Sequence, residues 1–236
     1  MVDRRTNTEE GVMSAMNKKW VIAALAILLV AVLGLAWGLT TSFGRRSPRA
    51  TPMPAAELPW GDDYSEPGVW QAESDAMAQV QVQDGVMRVY VAVPNQLAWA
   101  FAGREFSDFH LIVEATQVAG PDDNEYGVLV RMEDTDHFYR FSISGDGYYL
   151  VSKYDGEVWT PLSGDWMLSD AVQTGAATNL LEIVCQGATM VFLVNGEQLV
   201  QVEDADYSRG DIGLYAGSFF EPGVEIHFDN LRVEEP

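Results

Sequence analysis

The sequence is poor in cysteine, histidine and basic residues, and each scarcity narrows what the chain can do. Its one cysteine, Cys185, cannot form a disulfide within the chain. The three histidines stand apart, without the spacing of zinc ligands. Fourteen Lys and Arg residues face 35 Asp and Glu residues, which gives a formal net charge of −21. Because this charge repels phosphate backbones, the composition argues against nucleic-acid binding.

The N-terminal part of the chain contains one long stretch without charge. Residues 20–44 hold no Asp, Glu, Lys or Arg, and pairs of basic residues flank them at 18–19 and 45–46. About 20 apolar residues in a helix span a hydrocarbon core of roughly 30 Å. The apolar part of a cleaved signal peptide is shorter, about 7–15 residues. The length therefore favours an uncleaved transmembrane signal-anchor helix over a cleaved signal peptide or a buried helix.

The charges on the two sides of this stretch differ in sign. The first 50 residues hold seven basic and three acidic residues, net +4, and the rest hold seven basic and 32 acidic residues, net −25. Four basic residues precede the stretch and three follow it, so the positive-inside rule barely orients it. We expect a cytoplasmic tail at 1–19, a membrane helix at 20–44, a Pro-containing linker at 45–57 and an extracytoplasmic domain at 58–236. This arrangement predicts a single-pass protein of the cell membrane.

Short alternating segments dominate the chain after residue 57. Val80 and Val82 alternate with glutamines, and the hairpin signal Asp84-Gly85 follows them. Asn195-Gly196 gives a second hairpin signal between two apolar segments. Roughly a dozen such segments, separated by turn residues, predict one all-β domain built as a β-sandwich of two packed antiparallel sheets.

Several of these segments resemble a known family. The runs 179–184, 190–197, 210–215 and 224–233, together with the centre 126–140 and the opening 62–67, are similar to the concanavalin A-like lectin/glucanase superfamily. They resemble in particular its 3-keto-disaccharide hydrolase-like branch. The resemblance implies a jelly roll with one concave and one convex sheet. Its motifs are structural, so they specify the fold better than the function.

The carboxylate pattern of the superfamily's glucanases is missing. Those enzymes carry Glu-x-Asp-x-x-Glu on one strand, and alternation then aims all three carboxylates into one cleft. The acidic clusters at 133–136 and 203–206 instead have the composition of turns. We therefore assign no catalytic residue, and our leading hypothesis is non-catalytic binding of a carbohydrate or other polar ligand. A glycoside hydrolase of the 3-keto-disaccharide type and a structural protein-interaction module are the alternatives.

Two arginines are candidates for the ligand site. If the turn at 133–137 has its tip at residues 135–136, Arg131 stands opposite Arg140 on one face. Like charges directly opposite each other are unfavourable unless something anionic lies between them. Either nearby acids neutralise the pair, or the pair lines the concave sheet beside Tyr149 and binds a polar ligand. A one-residue slip would exchange Tyr149 for Tyr148.

Aromatic residues supply the other candidates. Trp99, Trp159 and Trp166 fall in or beside expected loops, where an exposed ring could stack on a sugar. Burial in the core of the sandwich is the competing explanation for rings of this size. Both readings stay open at the level of sequence.

One metal site is expected from the resemblance. Proteins of this superfamily often hold a structural calcium between the first and last strands, and calcium prefers oxygen ligands. Asp229 matches the acidic ligand of the last strand, and Asp63 or Asp62 could meet it from the N-terminal side. The alternative is that these aspartates cap turns. No other cofactor is expected.

Overall fold

The computed structural model describes residues 53–68 and 70–236. The predicted cytoplasmic tail, the membrane helix at 20–44 and most of the linker fall outside these residues. No helix in the described part of the chain is long and apolar enough to cross a membrane.

The described residues form sixteen β-strands. In chain order these are β1 (Trp60–Asp62), β2 (Gln71–Ala72), β3 (Ala78–Gln83), β4 (Val86–Val91), β5 (Gln96–Phe101), β6 (Phe109–Ala119), β7 (Asn124–Met132), β8 (His137–Ile143), β9 (Tyr148–Asp155), β10 (Trp159–Pro161), β11 (Met167–Leu168), β12 (Thr178–Gln186), β13 (Thr189–Val194), β14 (Glu197–Glu203), β15 (Asp211–Ser218) and β16 (Val224–Glu234). The predicted hairpin turns, Asp84-Gly85 and Asn195-Gly196, join β3 to β4 and β13 to β14. The all-β prediction is confirmed.

The strands form two eight-stranded antiparallel sheets. The first has the order β14-β13-β12-β6-β16-β4-β3, with β1 beside β16. The second has the order β10-β9-β8-β7-β15-β5-β2, with β11 beside β9. Strands far apart in sequence are neighbours in both sheets, as in β6–β16 and β7–β15. This is the two-layer, jelly-roll-like sandwich that the sequence predicts.

The two sheets differ in how their outer faces are buried. On β6, buried Phe109, Leu111 and Val113 alternate with half-buried residues, as expected when one face meets the core and the other meets water. On β7 and β15 every residue is buried. Side chains therefore also cover the outer face of the second sheet, which makes it the unusual surface of the domain.

The chain joins the sandwich slightly before the predicted domain start. The backbone N–H of Ala56 donates to Glu105 O at 2.9 Å, and that of Glu105 donates to Pro54 O at 2.9 Å. Residues 54–56, at the end of the expected linker, are thus hydrogen-bonded to the domain.

The central hairpin has a different register from the expected one. Arg140 pairs with Leu129, and Tyr139 pairs with Val130, so the prediction that Arg131 faces Arg140 was wrong by two residues. The cause is a bulge in β7, whose pairing with β15 shifts register before Met132 and gives Arg131 a positive φ of 51°.

The bulge turns the Arg131 side chain away from the outer face and buries it completely. Its guanidinium donates to Ser107 O at 3.4 Å, to Tyr207 O at 3.3 Å and to Asp108 Oδ1 at 3.3 Å. Asp108 Oδ1 also accepts the backbone N–H of Gly187 at 3.0 Å. Arg131 therefore ties loops that are distant in sequence to the end of β7.

Asp211, at the start of β15, offers a pH-dependent test of the fold. Burial raises its pKa to about 6, although backbone N–H groups of Gly103, Arg104 and Ile212 bond to its carboxylate. An unfolded aspartate titrates near about 3.9, so between about pH 4 and 6 the folded state binds the extra proton. This group's contribution to stability is therefore lost as pH rises through that window. Between pH 4 and pH 7 the free energy of unfolding of the wild type should therefore fall by roughly 2–3 kcal/mol relative to that of Asp211→Asn.

Urea unfolding of the wild type and Asp211→Asn across this pH range measures the difference. The substitution Asp170→Asn, on an exposed turn, serves as the control. Its free energy of unfolding should differ from that of the wild type by the same amount at every pH. A difference that does not change with pH for Asp211→Asn as well would contradict the raised pKa of Asp211.

Candidate functional site

The outer face of the second sheet is the candidate site, and we call it the groove face. Residues of its strands alternate between the core and this face, so that Ala98, Val128 and Phe141 point into the core. The groove face is formed by the intervening residues, which are Leu97, Trp99, Phe101, Glu125, Leu129, Phe138, Arg140, Ser142, Leu150, Ser152, Tyr154 and Tyr215. Aromatic and apolar side chains dominate a surface that would ordinarily be polar.

Strand register arranges these residues in rows across the sheet. One row reads Trp99, Tyr215, Gly127, Ser142 and Leu150, and the next reads Phe101, Gly213, Leu129, Arg140 and Ser152. Gly213 of the second row leaves room for large neighbours, since a Cβ there would lie 3.3 Å from the side chains of Met132 and Phe101. A Cβ on Gly217, on the same face of β15, would lie 2.9 Å from Glu125 Cγ. Gly217 therefore leaves the space that the Glu125 side chain occupies.

A buried ion pair lies at the centre of the groove face. Arg140 Nη1 is 2.9 Å from Glu125 Oε2, and the two side chains are only 10% and 8% exposed. Arg140 Nε donates to Ser152 Oγ at 3.4 Å. Burial raises the pKa of Glu125, and the charge of Arg140 opposes that rise. The pair is a close contact of opposite charges at a buried position.

Tyr215 completes the polar centre. Its hydroxyl donates to Ser142 Oγ at 2.5 Å, and the ring lies 5.8 Å from the Arg140 guanidinium carbon. Burial, and then the nearby Glu125 carboxylate, raise the pKa of Tyr215 well above its usual value. The tyrosine is therefore a neutral hydrogen-bonding group at ordinary pH.

Trp159 covers the arginine of the ion pair. Its ring stacks on Tyr154 with centroids 4.6 Å apart and an interplanar angle of 22°. The guanidinium carbon of Arg140 lies 4.0 Å from the centre of the same ring, a cation–π contact. Trp159 is still 38% exposed. In this conformation it shields the Arg140 guanidinium from solvent on one side.

An open cleft of about 660 Å³ adjoins the groove face at Trp99. It lies between β2 with the segment after it and β5, next to the β7–β8 turn. Its lining residues are Trp70, Gln71, Ala72, Glu73, Ser74, Asp75, Ala78, Gln96, Leu97, Ala98, Trp99, Phe101 and Thr135. This is the accessible concave volume through which a small ligand can reach Trp99 and Phe101.

The structure brings three of the six predicted ligand residues onto or over the groove face. These are Trp99, Arg140 and Trp159. Trp166 lies beside β11, where its ring contacts Phe219 edge-on at 6.1 Å. Tyr149 packs in the core and donates to Leu199 O at 3.2 Å, so the one-residue slip considered from the sequence is the observed register.

Sequence reasoning missed the partners of these residues. Arg131 lies in the interior and does not reach the groove face. Glu125 and Tyr215 were not singled out, although the alternation of Gly213, Tyr215 and Gly217 on one face of β15 is a signal of close side-chain packing.

The predicted calcium ligands take part in turns. Asp63 Oδ1 accepts the backbone N–H of Ser65 at 3.1 Å, and Asp229 Oδ1 accepts that of Asn230 at 2.7 Å. The described residues contain no group of three or more His, Cys, Asp or Glu side chains placed to hold a metal. Calcium binding stays a prediction, without a third acidic ligand to support it.

Comparison with known protein families shows to which family the domain belongs. A model of the 3-keto-alpha-glucoside-1,2-lyase-like domain matches residues 60–234. The chain belongs to the 3-keto-alpha-glucoside-1,2-lyase-like domain family. The groove face therefore lies wholly inside the family domain, and the resemblance inferred from the sequence is confirmed. The sequence matches none of the curated proteins with which it was compared.

Solved structures similar to this family member include both binding modules and enzymes. The carbohydrate-binding module CBM66 from Bacillus subtilis has a TM-score of 0.57 at 12% identity, covering 71% of this chain and 96% of that one. The β-glucanase of Bacillus licheniformis has a TM-score of 0.55 at 11% identity, with 75% and 98% covered. A Clostridium perfringens endo-β-galactosidase has 0.57 at 13% identity, with 78% and 64% covered. At these identities the likeness shows the fold alone.

Proposed function

We propose that the groove face binds a carbohydrate and does not cleave it. The observation that carries the proposal is the outer face of the second sheet, where aromatic rings surround a buried Arg140–Glu125 pair and an open cleft begins at Trp99. Sugar rings present C–H faces that pack on aromatic rings and hydroxyls that bond to fixed polar groups. Carbohydrate recognition by proteins of the same fold supports this choice of ligand class.

The arrangement of acids supports a non-catalytic role. Glycoside hydrolysis by the usual route needs two carboxylates about 5–10 Å apart across the scissile bond. Among the residues of the groove face, Glu125 is the one carboxylate, and Arg140 neutralises its charge. We therefore assign Arg140 and Glu125 to holding Trp159 and Tyr215 in place under the ligand.

An enzyme that cleaves a glycoside is the second candidate, and one observation favours it. Burial raises the pKa of Glu125 beside neutral Tyr215, as in carboxyl groups that act as general acids or bases. The family's name also refers to a lyase of 3-keto-α-glucosides. Catalysis would require the Glu125 carboxyl, now only 8% exposed, to become accessible to the substrate. Sugar release from a 3-keto-α-glucoside, abolished by Glu125→Gln, would favour this candidate over simple binding.

Substitution of Trp99 tests the binding proposal. After a glycan array identifies a ligand, Trp99→Ala should weaken its binding about tenfold, because an aromatic contact contributes about 1.5 kcal/mol. Isothermal titration calorimetry of folded protein measures the affinity. Phe220→Ala is the matched control, since this ring is 81% exposed and lies outside the groove face. Equal losses in the two variants, or an array without any bound glycan, would contradict the proposal.

We further propose that residues 20–44 anchor the domain to the cell membrane with the groove face on the extracytoplasmic side. The uncharged length of this stretch supports the anchor. The net charge of −25 after residue 50 is consistent with a soluble domain held away from an anionic lipid surface.

A further inference from the structure

The cleft beside Trp99 results from how the chain leaves the second sheet. β2 pairs with β5 at only two positions, Gln71 with Phe101 and Ala72 with Ala100. The next residues cross to the first sheet, where Ser74 Oγ bonds to the backbone of Val80 on β3 at 2.9 and 3.1 Å. The rest of β5 therefore has no neighbour strand on this side, and the space beside it is the cleft.

Trp70 forms a wall of this cleft with a fixed orientation. Its indole Nε1 donates to Asp62 Oδ2 at 2.8 Å. The ring also packs on Trp60, with centroids 6.1 Å apart, and on Tyr64, with centroids 5.9 Å apart. Ordering a flexible side chain costs free energy on binding, and this ring is already ordered. Trp70 thus gives the cleft an ordered indole in addition to that of Trp99.

The remaining lining has the polarity that a sugar needs and a definite charge. Gln71 and Gln96 supply amide groups that hydrogen-bond to hydroxyls, and the cleft volume of about 660 Å³ falls in the range of small-ligand sites. The charged residues of the lining are Glu73 and Asp75, both acidic. A uronate or a sulfated sugar would be repelled by these two negative charges. Repulsion of this kind gives a binding site specificity, because it excludes acidic ligands.

We propose that this cleft is a second subsite, which holds a neutral sugar unit of the same chain that contacts the groove face. The two sites are continuous because Leu97, Trp99 and Phe101 belong to both. The ligand is then an uncharged oligosaccharide that crosses β5, and not a single sugar. This inference rests on the proposed function, and it adds the length and the charge of the ligand.

The experiment compares ligands of different length and charge on the full-length chain in detergent. Calorimetry is run with glucose, with cello- and laminari-oligosaccharides of two to six units, and with oligogalacturonides of the same lengths. We expect affinity for the neutral ligands to rise at least tenfold with length, and the oligogalacturonides to bind at least tenfold more weakly. The double variant Gln71→Ala/Glu73→Ala should remove the gain from length and leave the affinity for the shortest bound ligand unchanged.

Two further variants separate this inference from the function on which it rests. Trp99→Ala should weaken short and long ligands alike, since its ring belongs to both sites. Glu73→Lys should raise oligogalacturonide affinity at least threefold. Affinity independent of length, an equal loss for short and long ligands in the double variant, or equal binding of acidic and neutral ligands would overturn the subsite while the groove face stands. No binding by any probe would overturn both.

Discussion

Replacing Arg131 by methionine should lower the free energy of unfolding by roughly 2–4 kcal/mol. Its buried guanidinium donates to Ser107 O and Tyr207 O, and a buried acceptor that loses its donor costs about 1–3 kcal/mol. For a domain of this size the melting temperature should fall on the order of 10 °C. Arg131→Lys should recover little, because an ammonium cannot reproduce the guanidinium's several fixed donors. Differential scanning calorimetry measures both variants.

The control for this prediction is another arginine at the same end of the domain. Arg209 is 66% exposed in its side chain and lies 3.8 Å from Glu105. A surface pair of this kind contributes about 0–1 kcal/mol, so Arg209→Met should melt near the wild type. A shift in the melting temperature of Arg131→Met of less than about 2 °C from the wild type would be far smaller than the expected change. It would contradict a stabilising role for the buried Arg131 hydrogen bonds.

The Arg131 result also bears on what a sequence can predict about a site. Alternation identified the strands and both Gly-containing hairpins correctly, because side-chain period and turn chemistry are local properties. The bulge that buries Arg131 depends on Gly210, where a Cβ would lie 2.4 Å from Met132 O. It also depends on Ser107 and Tyr207 carbonyls that arrive from other loops. Contacts of this kind are set by the packed fold, and no local pattern around residue 131 encodes them.

On the groove face, too, the sequence identified individual residues but not the contacts that strand pairing creates between them. Arg140 and Trp99 were candidates because their residue types suit a polar ligand and a sugar ring. The contact of Trp159 with Arg140 arises from the short β10 strand folding back on β9, where Trp159 pairs with Tyr154. The position of Glu125 follows from the pairing of β7 with β15. The pairing of β7 with β15 joins residues as far apart in the chain as Asn124 and Ser218, so composition and spacing alone could not reveal the ion pair.

The Arg140–Glu125 pair itself gives the second large effect. Arg140→Met leaves the Glu125 carboxylate buried without its partner, and breaking a buried pair in this way costs about 3–5 kcal/mol. The penalty should depend on pH. Burial already raises the pKa of Glu125, and the loss of Arg140 removes the charge that opposes the rise. A free glutamate titrates near about 4.3, so the variant loses stability as pH rises above that value toward the raised folded pKa.

A double-mutant cycle isolates the interaction between the two residues. Arg140→Met/Glu125→Leu replaces both charges by apolar groups next to an existing apolar cluster, and the double variant should be about as stable as the wild type. The coupling energy should then be at least about 2 kcal/mol at pH 8 and smaller at pH 4. Arg209 and Glu105 form an exposed surface pair at 3.8 Å, with side chains 66% and 36% exposed, and their coupling should stay below about 1 kcal/mol. Urea denaturation of the two cycles at both pH values measures these energies. Additive effects at Arg140 and Glu125 would mean that each residue contributes to the groove face by itself, and Trp159 would then be held by Tyr154 stacking without help from the ion pair.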